Sequence, residues 1–197
     1  MKNFLNTNLL PYQLIHSPFT NGNPLIGEQI KTALFWSVED IKWMKEALKL
    51  AKQGAEKEEV PVGAVLVHNQ QIIGQGFNEP IGRCDATAHA EIVALRDACT
   101  RLKNYRLPLK TTLYVTLEPC TMCIGAMIHA RVDRLVYAAH EPRAGMLGSQ
   151  MNLAEQPFYN HRMQVDAGLC REHSSQMLKD FFRQRRKAAK AKCNSSD

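Results

Sequence analysis

The sequence predicts an α/β fold in which a mixed sheet of about five strands is covered by helices. Three observations predict it. Residues 62–67, 112–117 and 134–139 are short apolar or β-branched runs of strand length. Longer stretches with an apolar stripe at helical spacing separate or precede them. His68-Asn69-Gln70 is a turn between the first run and Gln71-Ile72-Ile73, which begins a return strand. The resulting order, β-β-α-β-α-β, implies a sheet layered with helices and some parallel pairs.

In chain order, residues 1–36 hold five Asn and three Pro with no clear period, and read as a loosely ordered extension or the product of a misassigned start. At Ser37 the pattern changes. Ser37-x-x-Asp40 resembles a capping box with Asp in place of Glu. Ile41, Met44, Leu48 and Ala51 then form a core-facing stripe ending near Gly54. Gly74 and Gly76 in the second strand suggest bulges or close backbone approach. Thr87 can cap a helix running to about Thr100. The strand at 112–117 delivers Cys120 to a helix running to about Ala130. Residues 140–160 are a loop, residues 162–165 a last strand, and a final helix starts near Leu169. On it Met177, Leu178, Phe181 and Phe182 are assigned to the core.

With 197 residues, one domain with room for an extension is expected. The divisions expected are an extension over 1–36, a domain over 37–182 and a basic tail over 183–197. No apolar run reaches the roughly 18 residues of a membrane helix. The N-terminus lacks the apolar centre of a secretory signal, so a cytoplasmic location is expected. Cys84, Cys99, Cys170 and Cys193 have no metal-like spacing and read as free thiols.

The net charge of +6 is local: Arg183, Arg185, Arg186, Lys187, Lys190 and Lys192 account for all of it without an intervening acid. Such a cluster points to a polyanion such as nucleic acid. A solvated helix end is the alternative, but it needs fewer cations. Phe182 beside Arg183, Arg185 and Arg186 offers a stacking surface next to phosphate-binding groups, with core packing as the competing role.

The chemistry concentrates in two segments. His89 and Glu91 stand in Thr87-Ala88-His89-Ala90-Glu91, and Cys120 and Cys123 in Pro119-Cys120-Thr121-Met122-Cys123. One His and two Cys are a three-ligand set for a catalytic zinc with an open position, leaving Glu91 to move protons. The combination matches H-x-E…P-C-x-x-C. A redox pair would leave His89 and Glu91 unexplained, and a structural zinc site would want a fourth protein ligand. On an ideal helix, however, positions two apart point about 200° apart. His89 and Glu91 can serve one metal only within a first turn. Asn78 stands at a strand end just before this segment, where turn chemistry and a substrate contact are equally good readings.

These motifs resemble those of the cytidine-deaminase-like superfamily, most nearly its tRNA-specific adenosine deaminases. The resemblance spans about residues 37–192 and also rests on Glu59-Val60-Pro61-Val62-Gly63-Ala64-Val65, Tyr114-Val115-Thr116-Leu117-Glu118, Asn160-His161-Arg162 and Phe181-Phe182-Arg183. It implies a three-layer α/β/α fold, one Zn2+ per chain on His89, Cys120 and Cys123, and Glu91 as the proton shuttle. It implies deamination of adenosine to inosine at the first anticodon position, with a tRNA anticodon stem-loop as partner and a homodimeric assembly. Asn78 resembles the family's base-contacting amide, and Glu141, Arg143, Asn160 and His161 its anticodon-loop contacts. Glu79 departs from the Arg that relatives often carry. Two competing functions share parts of this pattern: deamination of free bases or nucleotides, and a non-catalytic zinc-stabilised RNA-binding protein. The basic tail argues against the first, and Glu91 against the second.

Overall fold

The computed structural model describes residues 36–194, so the reading of residues 1–35 as an extension lies outside the described residues. From Val38 onward the chain forms one compact unit. Its elements are α1 (Val38–Glu56), β1 (Gly63–His68), β2 (Gln71–Phe77), the short α2 (Pro80–Arg83), α3 (Ala90–Leu102), β3 (Thr112–Leu117), α4 (Thr121–Ala130), β4 (Arg134–Ala139), β5 (Gln164–Ala167) and α5 (Arg171–Asn194). A 3-10 turn, Leu153–Glu155, lies in the loop before β5.

The five strands form one sheet in the order β2-β1-β3-β4-β5. β1 is antiparallel to both neighbours, while β3, β4 and β5 run parallel. The mixed sheet expected from the element order is therefore present. Because β2 and β3 both oppose β1, the C-terminal ends of β2, β3 and β4 emerge on the same edge. That edge carries the site.

Alternation along the strands separates two cores. Ala64, Leu66, Leu113, Val115, Leu135 and Tyr137 pack with Ile92, Leu95 and Ala98 of α3 and Cys123, Ile124, Met127 and Ile128 of α4. The intervening residues face α1 and α5. Tyr114 donates from its hydroxyl to Asp40 Oδ1 at 2.8 Å, and Ser174 Oγ donates to the Thr116 carbonyl. Arg134 joins Asp40 (2.6 Å) and Asp166 (2.7 Å), tying α1, β4 and β5 together at the far edge of the sheet. The result is three layers, α/β/α.

Gly74 and Gly76 mark close approach: a Cβ on Gly74 would stand 2.4 Å from the Ala94 carbonyl oxygen, and one on Gly76 2.6 Å from Val93 Cγ1. The register shift in this hairpin lies instead between Leu66 and Val67.

Several boundaries differ from expectation. His68 pairs with Gln71 as the last strand residue, and the turn is only Asn69-Gln70, both at positive φ, as a tight hairpin with this twist requires. The last strand falls at Gln164–Ala167 because it pairs in register with Arg134–Tyr137. Thr87 is not the cap of α3. Its N–H (2.8 Å) and hydroxyl (2.6 Å) both donate to Asp85 Oδ1, and the helix begins three residues later at Ala90. The basic stretch continues α5 as helix through Asn194. Phe181 is buried but Phe182 is exposed, so only the first belongs to the core: adjacent positions on a helix point about 100° apart.

Candidate metal centre and active site

Each half of the site is a helix N-terminus. β3 ends at Leu117, and three residues later Cys120 is the N-cap of α4 in extended conformation. Cys123 follows in the first turn, fully buried. His89 is the N-cap of α3, also extended. Neither His89 nor Cys120 caps its own helix with its side chain. Both side chains turn toward each other instead.

The three ligand atoms form a nearly equilateral triangle. His89 Nδ1 lies 3.7 Å from Cys120 Sγ and 3.6 Å from Cys123 Sγ, and the two sulfurs are 3.7 Å apart. Ligands set tetrahedrally around zinc, at about 2.3 Å for sulfur and about 2.0 Å for nitrogen, are roughly 3.5–3.8 Å from one another. The observed edges fall in that range, so the donor set fits a metal ion of this size and softness. Among the described residues this is the group placed to hold a metal.

Because His89 precedes α3, the angular problem of positions two apart does not arise. Glu91 is the second residue of the helix, 4% exposed, and its carboxyl reaches Cys123. Burial pushes that carboxyl above the usual range, with His89 offsetting part of the effect. Cys120 is drawn down to about 3, first by the hydrogen bond from Cys123 and further by His89. Cys123 is pushed up by donating to Cys120 and by burial. His89 is raised, chiefly by its hydrogen bond with Cys120. One thiolate beside an imidazole is a cation-seeking arrangement.

Asn78 follows β2 and caps α3 from outside: its Oδ1 accepts from Ala90 N at 2.9 Å. This cap is a further role for Asn78, and it fixes the amide beside His89. Glu79 pairs with Arg83 at 2.7 Å and lies 3.9 Å from Lys57, which uses its charge locally.

Glu141 and Arg143 lie on the loop after β4, at the same edge, where Arg143 N donates to Glu141 Oε1 at 2.9 Å. Met146 N bonds the Pro119 carbonyl at 3.1 Å, which brings this loop against the Cys120 segment. Asn160 and His161 are elsewhere. Arg131 donates to Asn160 Oδ1 at 3.1 Å, and His161 Nε2 donates to the Val132 carbonyl at 2.6 Å. Both therefore sit beyond the C-terminus of α4, about 15 Å along that helix from Cys120, and the chain does not bring them to the metal centre.

The basic half of α5 stays on the site edge. Phe181, Arg185 and Ala189 line a groove with Ala55 and Glu58. The next residue, Glu59, accepts from Gly82 N at 2.7 Å in the segment leading to His89. Arg183 pairs with Asp180 at 2.6 Å, and Arg185 lies 5.7 Å over the Phe181 ring. Arg183, Arg185, Arg186, Lys187 and Lys190 are all exposed, as is Phe182.

Sequence reading gave no role to Glu118, though it stands in the quoted motif. It is 3% exposed and accepts hydrogen bonds from the loop that carries Glu141. Burial raises its carboxyl, but hydrogen bonds from Ser149, Leu147 and Glu141 outweigh this and hold it below the usual value. The available signal was an acid directly after a buried, β-branched strand.

A fold of this kind with a His-Cys-Cys triangle and an adjacent buried carboxyl defines a deaminase, and the family model for MafB19-like deaminases matches residues 38–186. The chain is 47% identical over 152 residues to the tRNA-specific adenosine deaminase of Haemophilus influenzae, covering 77% of this chain and 87% of that one. It is 44% identical over 153 residues to the tRNA-specific adenosine deaminase of Bacillus subtilis, covering 78% and 94%. A solved structure from work on A-to-I editing by tRNA:A34 deaminases at the wobble position superposes with a TM-score of 0.67 at 42% identity, covering 70% of this chain and 99% of that chain. The chain belongs to the tRNA-specific adenosine deaminase family.

Proposed function

We propose that this chain hydrolyses adenosine to inosine at the first anticodon position of a tRNA, with one Zn2+ held by His89, Cys120 and Cys123. The observation that carries the reading is the 3.6–3.7 Å triangle of ligand atoms with Glu91 buried against it. Zinc, when bound, supplies a Lewis acid at an open fourth position and so makes water reactive at neutral pH. Glu91 takes a proton from the attacking water and delivers it to the purine ring. It then takes the proton of the hydroxyl newly formed on the attacked carbon and passes it to the departing amino group, whose C–N bond breaks, so that water and adenosine become inosine and ammonia. Burial of Glu91 keeps that proton from exchanging with bulk solvent.

Asn78 is held by its bond to Ala90, which leaves its amide N–H groups to read the base edge. Glu141 and Arg143 contact the anticodon loop, and Phe182 with Arg183, Arg185 and Arg186 receives the backbone and a stacked base. Asn160 and His161 have no part in the chain's own pocket in this reading. A homodimer is part of the proposal, because Tyr105, Leu109 and Phe158 are exposed on loops that dock on the far end of α4. A partner subunit would cover such a surface. A tRNA substrate places the reaction in the cytoplasm. No helix among the described residues is long and apolar enough to cross a membrane.

The test is inosine sequencing of tRNA incubated with the purified protein, beside free adenosine, guanine and cytidine. Conversion at the wobble adenosine is expected. Turnover of a free base with tRNA untouched would refute the substrate assignment.

A further inference from the structure

Glu118 accepts five hydrogen bonds: Oε1 from Leu147 N (2.8 Å) and Ser149 N (3.1 Å), and Oε2 from Glu141 N (3.1 Å), His140 Nδ1 (3.2 Å) and the Ser149 hydroxyl. Four of these donors belong to residues 141–149, so the loop is folded around one carboxylate that directly precedes Pro119 and Cys120. Gly145 shows how close the approach is, since a Cβ there would stand 2.4 Å from Glu118 Cδ. A residue without acceptors at 118 would leave the buried N–H of Leu147 and the part-buried N–H of Ser149 without their partner.

His140 extends the arrangement. An ionised carboxylate only accepts and a guanidinium only donates. His140 must therefore carry its proton on Nδ1, facing Glu118, and accept on Nε2 from Arg171 Nη2 at 3.1 Å. The Tyr137 hydroxyl, 3.2 Å from His140 Nδ1, donates to the Leu147 carbonyl at 3.2 Å and closes the network. Arg171 opens α5, the helix that carries the basic cluster.

We propose that Glu118 is the positioning residue that fixes loop 141–149, and through His140 the start of α5, relative to the metal-binding segment Cys120–Cys123. It touches neither substrate nor metal. Its effect on catalysis passes through Glu141 and Arg143, so the inference rests on the reading of those two residues as RNA contacts. A loop shifted by about 1 Å loses its contacts with the RNA, so binding suffers more than chemistry on a base already held over the metal.

The experiment uses the full zinc-loaded chain and three variants. Glu118→Gln removes the charge and part of the acceptor set. Gly145→Ala displaces the loop from its own side without altering the carboxylate. Ser149→Ala removes one donor and gives the same result at smaller amplitude should either of the others fail to fold. Four quantities are read: metal per chain, amide exchange of Glu141, Leu147 and Ser149, affinity for an anticodon stem-loop, and the single-turnover rate at saturating RNA. The expected result is unchanged metal content, amide exchange faster by about tenfold or more, and affinity for the stem-loop weaker by roughly tenfold. The single-turnover rate at saturating RNA should fall less than the affinity. Unchanged exchange in the folded variants would show that Glu118 is not the clamp. Faster exchange with wild-type RNA affinity would show that the clamp does not serve recognition. Loss of metal along with affinity would move Glu118 into support of the ligands and overturn the proposal. The exchange measurement needs no substrate, so a wild-type protein that made no inosine would refute the function while leaving the clamp itself decided.

Discussion

His89 Nδ1 and Cys123 Sγ lie 3.6 Å apart although 34 residues separate them in the chain. The sheet creates this proximity by delivering α3 and α4 to one edge with their N-termini side by side. Glu91 shares that edge without belonging to the triangle. Glu91→Ala should therefore keep about one zinc per chain and lower the deamination rate by at least about 100-fold. Cys120→Ala should lose both metal and activity. Metal analysis of the two variants checks this, and zinc loss from the Glu91 variant would place the carboxylate in the coordination shell.

Asn78 has two separable jobs. Its Oδ1 caps α3, and its amide N–H groups are proposed to read the base. Asn78→Ala should cost about 1 kcal/mol of stability through the lost cap and also lower activity. Asn78→Asp keeps an acceptor for Ala90 N, so it should recover the melting temperature and leave deamination impaired. Recovery of both would mean that the cap is the whole of its role.

Gly63 is forced by packing. A Cβ there would stand 2.1 Å from the Ala47 carbonyl oxygen and 2.5 Å from Ala51 N, both backbone atoms of α1. Gly63→Ala should destabilise the chain by about 1–3 kcal/mol or more, as overpacking does. Urea unfolding should show a lower midpoint at an unchanged slope. A wild-type midpoint would mean that α1 can move away at little cost.

The exposed cations of α5 should act through ionic strength. Replacing Arg183, Arg186, Lys187 and Lys190 by Ala keeps good helix formers and buries nothing new. The dependence of tRNA affinity on log salt should flatten by roughly two to three units, at about 0.7 per neutralised phosphate. The single-turnover rate at saturating RNA should survive. Titration of affinity against salt decides it, because a stretch that only ends the helix would leave the slope unchanged.

Asp85 orders the turn before His89. Hydrogen bonds from the Thr87 hydroxyl and N–H, and then Arg96, hold its carboxyl at about 2 against an ordinary 3.8. The folded value is the depressed one. Its contribution to stability is therefore present above about 3.8 and is lost as pH falls toward about 2. Carboxyl carbon NMR should show Asp85 still ionised at pH 3. A midpoint near 3.8 would show that the turn does not engage it in solution.

The strands at 112–117 and 134–139 were legible in the sequence because alternating or all-apolar runs between turn signals leave few other foldings. The ligand set was legible because a thiolate pair three residues apart, a histidine and a nearby acid are chemical identities, independent of where the chain carries them. Function followed from that set together with the local basic cluster. The sequence could not place these parts in space. Whether His89 and Glu91 address one point depended on the helix starting at Ala90, which is set by a cap contributed from Asn78. That Asn160 and His161 stand at the far end of α4 follows from parallel pairing of β5 with β4. The role of Glu118 depended on a loop that returns over it after some 23–31 residues. Residue type and local period are written along the chain and can be read there. Contacts between distant segments arise only when the sheet sets their directions, so the closing of the site belongs to the tertiary structure.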